Sequence, residues 1–152
     1  MRRTRFDNEP CPIARATDLM GDWWTPIVMR QILMGTHRFG DLVDQLQIPR
    51  AVLTKRLDRL VDEQMVDRVE YQDRPVRYEY RPTQKGREFS SVLAAMWRWS
   101  SDWMWGDGEP RVVLADSETH ATITPMVVDE ATGEPIDVDR LTMAMRRDRS
   151  GQ

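Results

Sequence analysis

Apolar positions recur at a helical period through the first sixty or so residues, then alternate, then return to a helical period before a tail of different character. Ile13, Ala16, Leu19 and Met20 share one helical face, which predicts a first helix opening after Cys11-Pro12 and stopping at Gly21. Trp23 and Trp24 restart the chain, and Ile27, Val28, Ile32 and Leu33 carry a second helix to Met34-Gly35. Phe39, Leu42, Val43 and Leu46 define a short third helix, followed by the link Gln47-Ile48-Pro49. From Arg50 to Gln64, the positions Leu53, Leu57, Leu60, Val61 and Gln64 keep i, i+4, i+7, i+8, i+11 spacing and predict a fourth helix with an apolar underside. Alternation then takes over in Met65–Tyr71 and Val76–Arg81, on either side of the turn residues Gln72-Asp-Arg-Pro, so these segments predict a β-hairpin. Thr83 is a good N-cap for a long last helix running through Phe89, Val92, Leu93, Met96 and Trp97 to about Trp105, where Gly106-Asp-Gly breaks it. Beyond it, residues 111–115, 120–128 and 140–145 read as short strands of a small β-ribbon.

Two short helices across a tight link, followed by a hairpin, make a helix-turn-helix with a wing. The fold class expected is α+β, mainly α: a winged helix-turn-helix domain over 9–105, with N- and C-terminal dimerisation helices, and an acidic β-ribbon extension over 106–152. Alone, the fourth helix reads more readily as an ordinary amphipathic surface helix than as a DNA reader. Its neighbours make the difference, because a leucine-backed helix with a basic, hydroxyl-bearing leading end suits the major groove of DNA. The expected DNA-contacting residues are Arg50, Ala51, Thr54, Lys55 and Arg59 on that helix, Arg38 ahead of the third helix, and Arg74 and Arg77 on the wing. Arg2, Arg3 and Arg5 are either an arm on the phosphates or an idle terminus.

A chain of 152 residues, 40% hydrophobic and 31% charged, is long enough for one folded domain with an appendage and too apolar for a disordered one. No apolar run reaches the roughly 20 residues that span a bilayer, and no hydrophobic segment follows the basic start, so the expectation is a cytoplasmic protein without a membrane partner. A net charge of −3 argues against a nucleic-acid partner until it is divided along the chain. Residues 50–87 carry ten Lys or Arg against seven Asp or Glu, whereas residues 106–152 carry five against ten. The acid is concentrated in the tail. Charge farther away than about 8 Å is screened, so DNA meets the local +3.

The single cysteine, Cys11, excludes an internal disulfide and a cysteine-based metal cluster, and the two histidines, His37 and His120, stand alone. No metal, cofactor or enzymatic constellation is expected, since nucleophile, base and phosphate-loop patterns are missing. Cys11 lies where a helix N-terminus favours a thiolate, as a sensor would require; a buried inert thiol fits the same position. Trp97, Trp99, Trp103 and Trp105 surround much of the last helix, more indole than one helix beside a small domain can cover. A two-fold interface with a second copy accounts for that, and so does a flat ligand held among Trp23, Trp24, Trp97 and Trp103.

Cys11-Pro-Ile-Ala-Arg-Ala, Trp24-Thr, Arg38-Phe-Gly-Asp-Leu, Val52-Leu-Thr-Lys-Arg-Leu, Tyr78-Glu-Tyr and Thr83-Gln-Lys-Gly86 resemble, in order and spacing, the HxlR-type winged-helix transcriptional regulators, relatives of the MarR group. The resemblance covers about residues 9–105. It implies a homodimer built from the first and last helices, with two recognition helices in successive major grooves of a pseudo-palindromic operator. It also implies a cysteine at the position of Cys11 that senses oxidants, quinones or aldehydes; with no second cysteine, oxidation here would give an intersubunit or mixed disulfide or an adduct. The tail resembles extensions whose cysteines suggest a zinc ribbon, but those cysteines are missing from this one. The function expected is a homodimeric, sequence-specific DNA-binding regulator, a repressor responsive to an oxidant or small molecule. The alternative is a module that binds a planar small molecule on a winged-helix scaffold.

Overall fold

The computed structural model describes residues 10–105 and 108–144; Arg2, Arg3, Arg5 and the arginines after residue 145 lie outside them. The elements run α1 (Pro12–Met20), α2 (Trp24–Leu33), α3 (Phe39–Leu46), α4 (Arg50–Asp62), β1 (Val66–Asp73), β2 (Val76–Pro82) and α5 (Gln84–Trp103). The chain divides into two compact units, Met1–Leu93 and Ala94–Gln152.

In the first unit α2 is the central post. Its Val28, Met29 and Ile32 are fully buried and meet Leu42 of α3, Ile48 of the link and Leu53, Leu57 and Leu60 of α4. The expected leucine underside of α4 is therefore the core, and burying each such side chain contributes about 2 kcal/mol. The α3–α4 link is tight because Gln47 takes a left-handed conformation (φ 51°), Ile48 drops into the core, and Pro49 precedes the first turn with its carbonyl accepting from the amides of Val52 and Leu53. α4 ends two residues earlier than its periodicity suggests. Gln64 adopts φ 56°, its amide donates to the Val61 carbonyl, and that of Met65 donates to Leu60 across 2.8 Å. This double bond is a left-handed helix stop, which puts Gln64 outside the apolar stripe.

β1 and β2 pair antiparallel from Val66↔Pro82 to Asp73↔Val76, with an irregularity at Tyr71, between Glu70 and Gln72. Tyr80 and Val66 turn their face of the hairpin into the core. Residues 37 and 38 also pair with the hairpin: the Tyr80 amide donates to the His37 carbonyl at 2.8 Å, and Arg38 bridges to Glu79. That small third strand has no sequence signature, being only a pair of residues.

The wing hands over to α5 in a crowded junction. The Thr83 hydroxyl accepts from the Gly86 amide (3.1 Å), capping α5 as expected, and donates to the Gln64 carbonyl (2.7 Å). Lys85 Nζ donates to the Glu63 carbonyl (2.7 Å). The backbone passes so near that a Cβ on Gly86 would lie 2.0 Å from the Met65 carbonyl oxygen.

The second unit holds the later part of α5 and the tail. Among the described residues its pairing is confined to two isolated bridges, Ala115↔Thr122 and Val128↔Pro135. Two of the expected ribbon segments meet at the first bridge, but the third strand is absent among the described residues. Val128 pairs with Pro135 instead, and the chain turns at 137–140. The reason is local chemistry. Asp116, Asp129 and Asp137 each accept from the amide two residues on, bending the chain at short intervals. Hydrogen bonds from the Thr119 amide and hydroxyl, and from the Glu118 amide, hold the Asp116 carboxyl below its ordinary pKa. Among the described residues no helix is long and apolar enough to cross a membrane.

Replacing Gly86 by Ala in an unobstructed helix would raise stability by up to about 1 kcal/mol. Here the sign should reverse, with a loss of about 3 kcal/mol as the α4–wing–α5 junction opens. A denaturant midpoint for Gly86→Ala at or above wild type would contradict this packing.

Candidate nucleic-acid interface

Once three leucines of α4 are buried, the remaining positions divide into an open front and an occupied flank. Arg50, Ala51, Thr54 and Lys55 are exposed, and among the described residues Arg50 and Lys55 have no ion-pair partner. The Thr54 hydroxyl donates to the Arg50 carbonyl (3.0 Å), which directs its lone pairs outward. The Arg50 guanidinium lies over the Phe39 ring at 5.7 Å. These four residues form one polar surface at the leading end of the helix.

Arg59 is different. Its Nη2 donates to both the backbone carbonyl (2.8 Å) and the carboxylate (3.1 Å) of Asp18, with Glu63 at 4.0 Å. Asp18 is 7% exposed, the one buried residue of α1. Arg56 does the same on the neighbouring turn, pairing with Asp22. The other oxygen of Asp22 accepts from the Trp24 and Thr25 amides (2.9 and 3.2 Å), capping α2. Arg59, expected among the DNA-contacting residues, is engaged with Asp18 and ties α1 to α4. Sequence reasoning missed Asp18, Asp22 and Arg56 in this clamp. The signal was present, for Asp18 and Asp22 are one helical turn apart, as are Arg56 and Arg59.

On the wing, Arg74 and Arg77 are exposed near the tip. The Gln72 side-chain Nε2 donates to the Arg74 and Pro75 carbonyls, each at 3.1 Å, and so braces the turn whose Arg74–Pro75 peptide is cis. Arg38, at the start of α3, stacks over Tyr71 of β1 at 4.5 Å. Arg68, absent from the expected set, stacks over Tyr78 at 3.8 Å. Burial is the main cause that raises the Tyr80 pKa; Arg68 opposes the shift and Asp58 adds to it.

Cys11 is a half-buried free thiol at the position preceding α1, where its carbonyl accepts from Arg15. The four tryptophans singled out from sequence do not share one environment. Trp24 packs against the first unit's core, and Trp97 is half-buried, with Nε1 donating to the Val112 carbonyl (3.1 Å). Trp23 and Trp103 are each 77% exposed. Ile13, expected on the inner face of α1, is turned outward. Among the described residues no group of three or more His, Cys, Asp or Glu is arranged to hold a metal.

The chain matches the model of the HxlR-like helix-turn-helix family over residues 19–107. It is 32% identical, over 91% of its length and 86% of the relative's, to an uncharacterised HTH-type transcriptional regulator of Mycobacterium bovis. Among solved structures it is similar to PA1607, described as a candidate transcription factor, with a TM-score of 0.82, 26% identity and coverage of 94% of this chain and 100% of that one. It is also similar to the transcriptional regulator YodB of Bacillus subtilis. The reduced form gives a TM-score of 0.56 at 26% identity over 65% of this chain and 98% of that one; the diamide-treated form gives 0.52 at 26% over 63% and 97%.

The division of α4 into front and flank is measurable by stability. Arg59→Ala removes a hydrogen-bonding partner of the buried Asp18 carboxylate and should cost about 2 kcal/mol in chemical denaturation. Lys55→Ala, on the open front, should change stability by less than about 0.5 kcal/mol. Equal effects of the two substitutions would refute the division.

Proposed function

Because the chain belongs to the HxlR-like helix-turn-helix family of transcriptional regulators, we propose that it works in the cytoplasm as a homodimeric repressor that occupies a pseudo-palindromic operator. The observation that carries this is the open front of α4. Arg50, Ala51, Thr54 and Lys55 face outward from a helix fixed from behind by buried leucines and at its flank by Asp18 and Asp22. In the major groove, Arg50 and Lys55 meet guanine edges or phosphate, and Thr54 meets phosphate or a thymine methyl. Arg74 and Arg77 meet the backbone beside the groove. Two subunits place two such fronts about 34 Å apart, one turn of the duplex.

Exposed apolar side chains support the second copy. Trp23 and Ile13 in the first unit, and Trp103 in the second, are among the large apolar side chains open to solvent. Buried between subunits, they would remove the largest apolar surfaces from water.

The effector acts through α1. Cys11 begins this helix and Asp18, near its end, grips Arg59 of α4. A thiol oxidised to a mixed or intersubunit disulfide displaces α1, and the displacement reaches the reading helix through the ion pair. YodB, solved in reduced and diamide-treated forms, is the relative that makes an oxidant the effector to try first.

Selection of bound DNA from a random pool, with and without diamide, tests the proposal. Wild type should enrich a two-fold symmetric site, and log affinity should fall linearly with log salt at about 0.9 per neutralised phosphate. The triple substitution Arg50→Ala, Thr54→Ala, Lys55→Ala should abolish enrichment, whereas Cys11→Ser should retain it and ignore diamide. Enrichment of the same site by the triple variant would rule out α4 as the reader. In sedimentation, Trp103→Glu should shift a dimeric wild type toward monomer; an unchanged dimer would remove that residue from the interface.

A further inference from the structure

Six arginines of the first unit fall into two kinds. Arg56, Arg59 and Arg81 are held by their edges, their N–H groups directed at the carboxylates of Asp22, Asp18 and Glu79. Arg38, Arg50 and Arg68 lie over Phe or Tyr rings and, among the described residues, pair with no carboxylate. The difference decides what each can still bind. A guanidinium presents its five N–H donors in its own plane, and a phosphate takes them edge-on. A carboxylate at the edge uses that capacity; a ring under the face leaves it intact.

Among the face-held arginines, Arg38 occupies the junction between the helix-turn-helix and the wing. It directly precedes α3, its backbone bridges to Glu79 of β2, and its side chain lies 4.5 Å over Tyr71 of β1. Tyr71 stands at the one irregularity of the hairpin register, where the pairing passes from Glu70↔Tyr78 to Gln72↔Arg77 and skips it. Such bulges re-aim a side chain. Arg68, by contrast, is paired in register with the buried Tyr80 and stacks over Tyr78 of the neighbouring strand, inside the regular part of the ladder. The Phe39 stack under Arg50 is looser, at 5.7 Å.

We propose that Tyr71 is a positioning residue for DNA binding: its ring holds Arg38 face-on so that the guanidinium edge is pre-aimed at a backbone phosphate between the groove-reading helix and the wing. This rests on the DNA-binding reading above and adds a residue that touches no DNA itself. The stack fixes a side chain that would otherwise sample many rotamers, so binding orders less on contact.

The test measures affinity for the selected operator across a salt series. Arg38→Ala should lower affinity on the order of tenfold and reduce the salt slope by about two, one phosphate per subunit of a dimer. Tyr71→Leu should lower affinity by a smaller factor, Tyr71→Phe should restore it, and Tyr71→Leu should have no further effect once Arg38 is Ala. Thermal melts of each variant separate this from unfolding, since Tyr71→Phe keeps the ring and Arg38→Ala keeps the bulge. An undiminished affinity for Tyr71→Leu, or an equal loss in the Arg38→Ala background, overturns the proposal while leaving the α4 reading intact. Salt-independent DNA binding by wild type would overturn both.

Discussion

Helix α4 is held from behind by leucines and from the side by two carboxylates, the buried Asp18 and the half-buried Asp22, and this double restraint decides which of its cations stay open to solvent. Leu53, Leu57 and Leu60 fix the roll of α4 against α2. Asp18 and Asp22 then take Arg59 and Arg56. Apolar burial alone would hold the helix without selecting which cations remain outside. An ion pair whose acid is nearly buried is costly to leave half-made, so both arginines stay inside the clamp. What remains in solvent is the leading end, with Arg50, Thr54 and Lys55.

The same economy of charge runs through the rest of the chain. Asp22 serves two elements at once, capping α2 with one oxygen and holding Arg56 with the other. Three of the tail acids, Asp116, Asp129 and Asp137, act on their own backbone and close turns. An acidic total and a locally basic reading face are thus compatible. The counts of each sign matter less than whether a charge is spent inside the fold.

The wing and α5 are fixed to this frame by backbone contacts as well as by the burial of Val66, Tyr80 and Phe89 against the core. The His37 carbonyl accepts from Tyr80, the Met65 carbonyl lies against Gly86, and Thr83 both receives from α5 and donates to the end of α4. Close approach of this kind demands a residue without a side chain at 86, and a hydroxyl at 83 that can give and accept together. Arg38 and Tyr71 sit above this junction, where a change in the wing would be felt at α3.

The sequence by itself determined the order of elements, the leucine underside, the hairpin with its arginine tip and the Thr83 cap, because each is set by contacts within a few residues. Helical period, alternation and turn chemistry are local quantities, so they survive in one dimension. Only the tertiary structure decided that Arg59 faces Asp18, that Trp24 joins the core while Trp23 stays outside, and that Arg38 lies on Tyr71. These depend on pairs 41 positions apart in the Arg59–Asp18 case, and on which of two adjacent residues a helix turns inward. A cation in the sequence is only a charge. Whether its donors are spent on a buried carboxylate or left free at the edge of a stacked ring is settled when the helices pack.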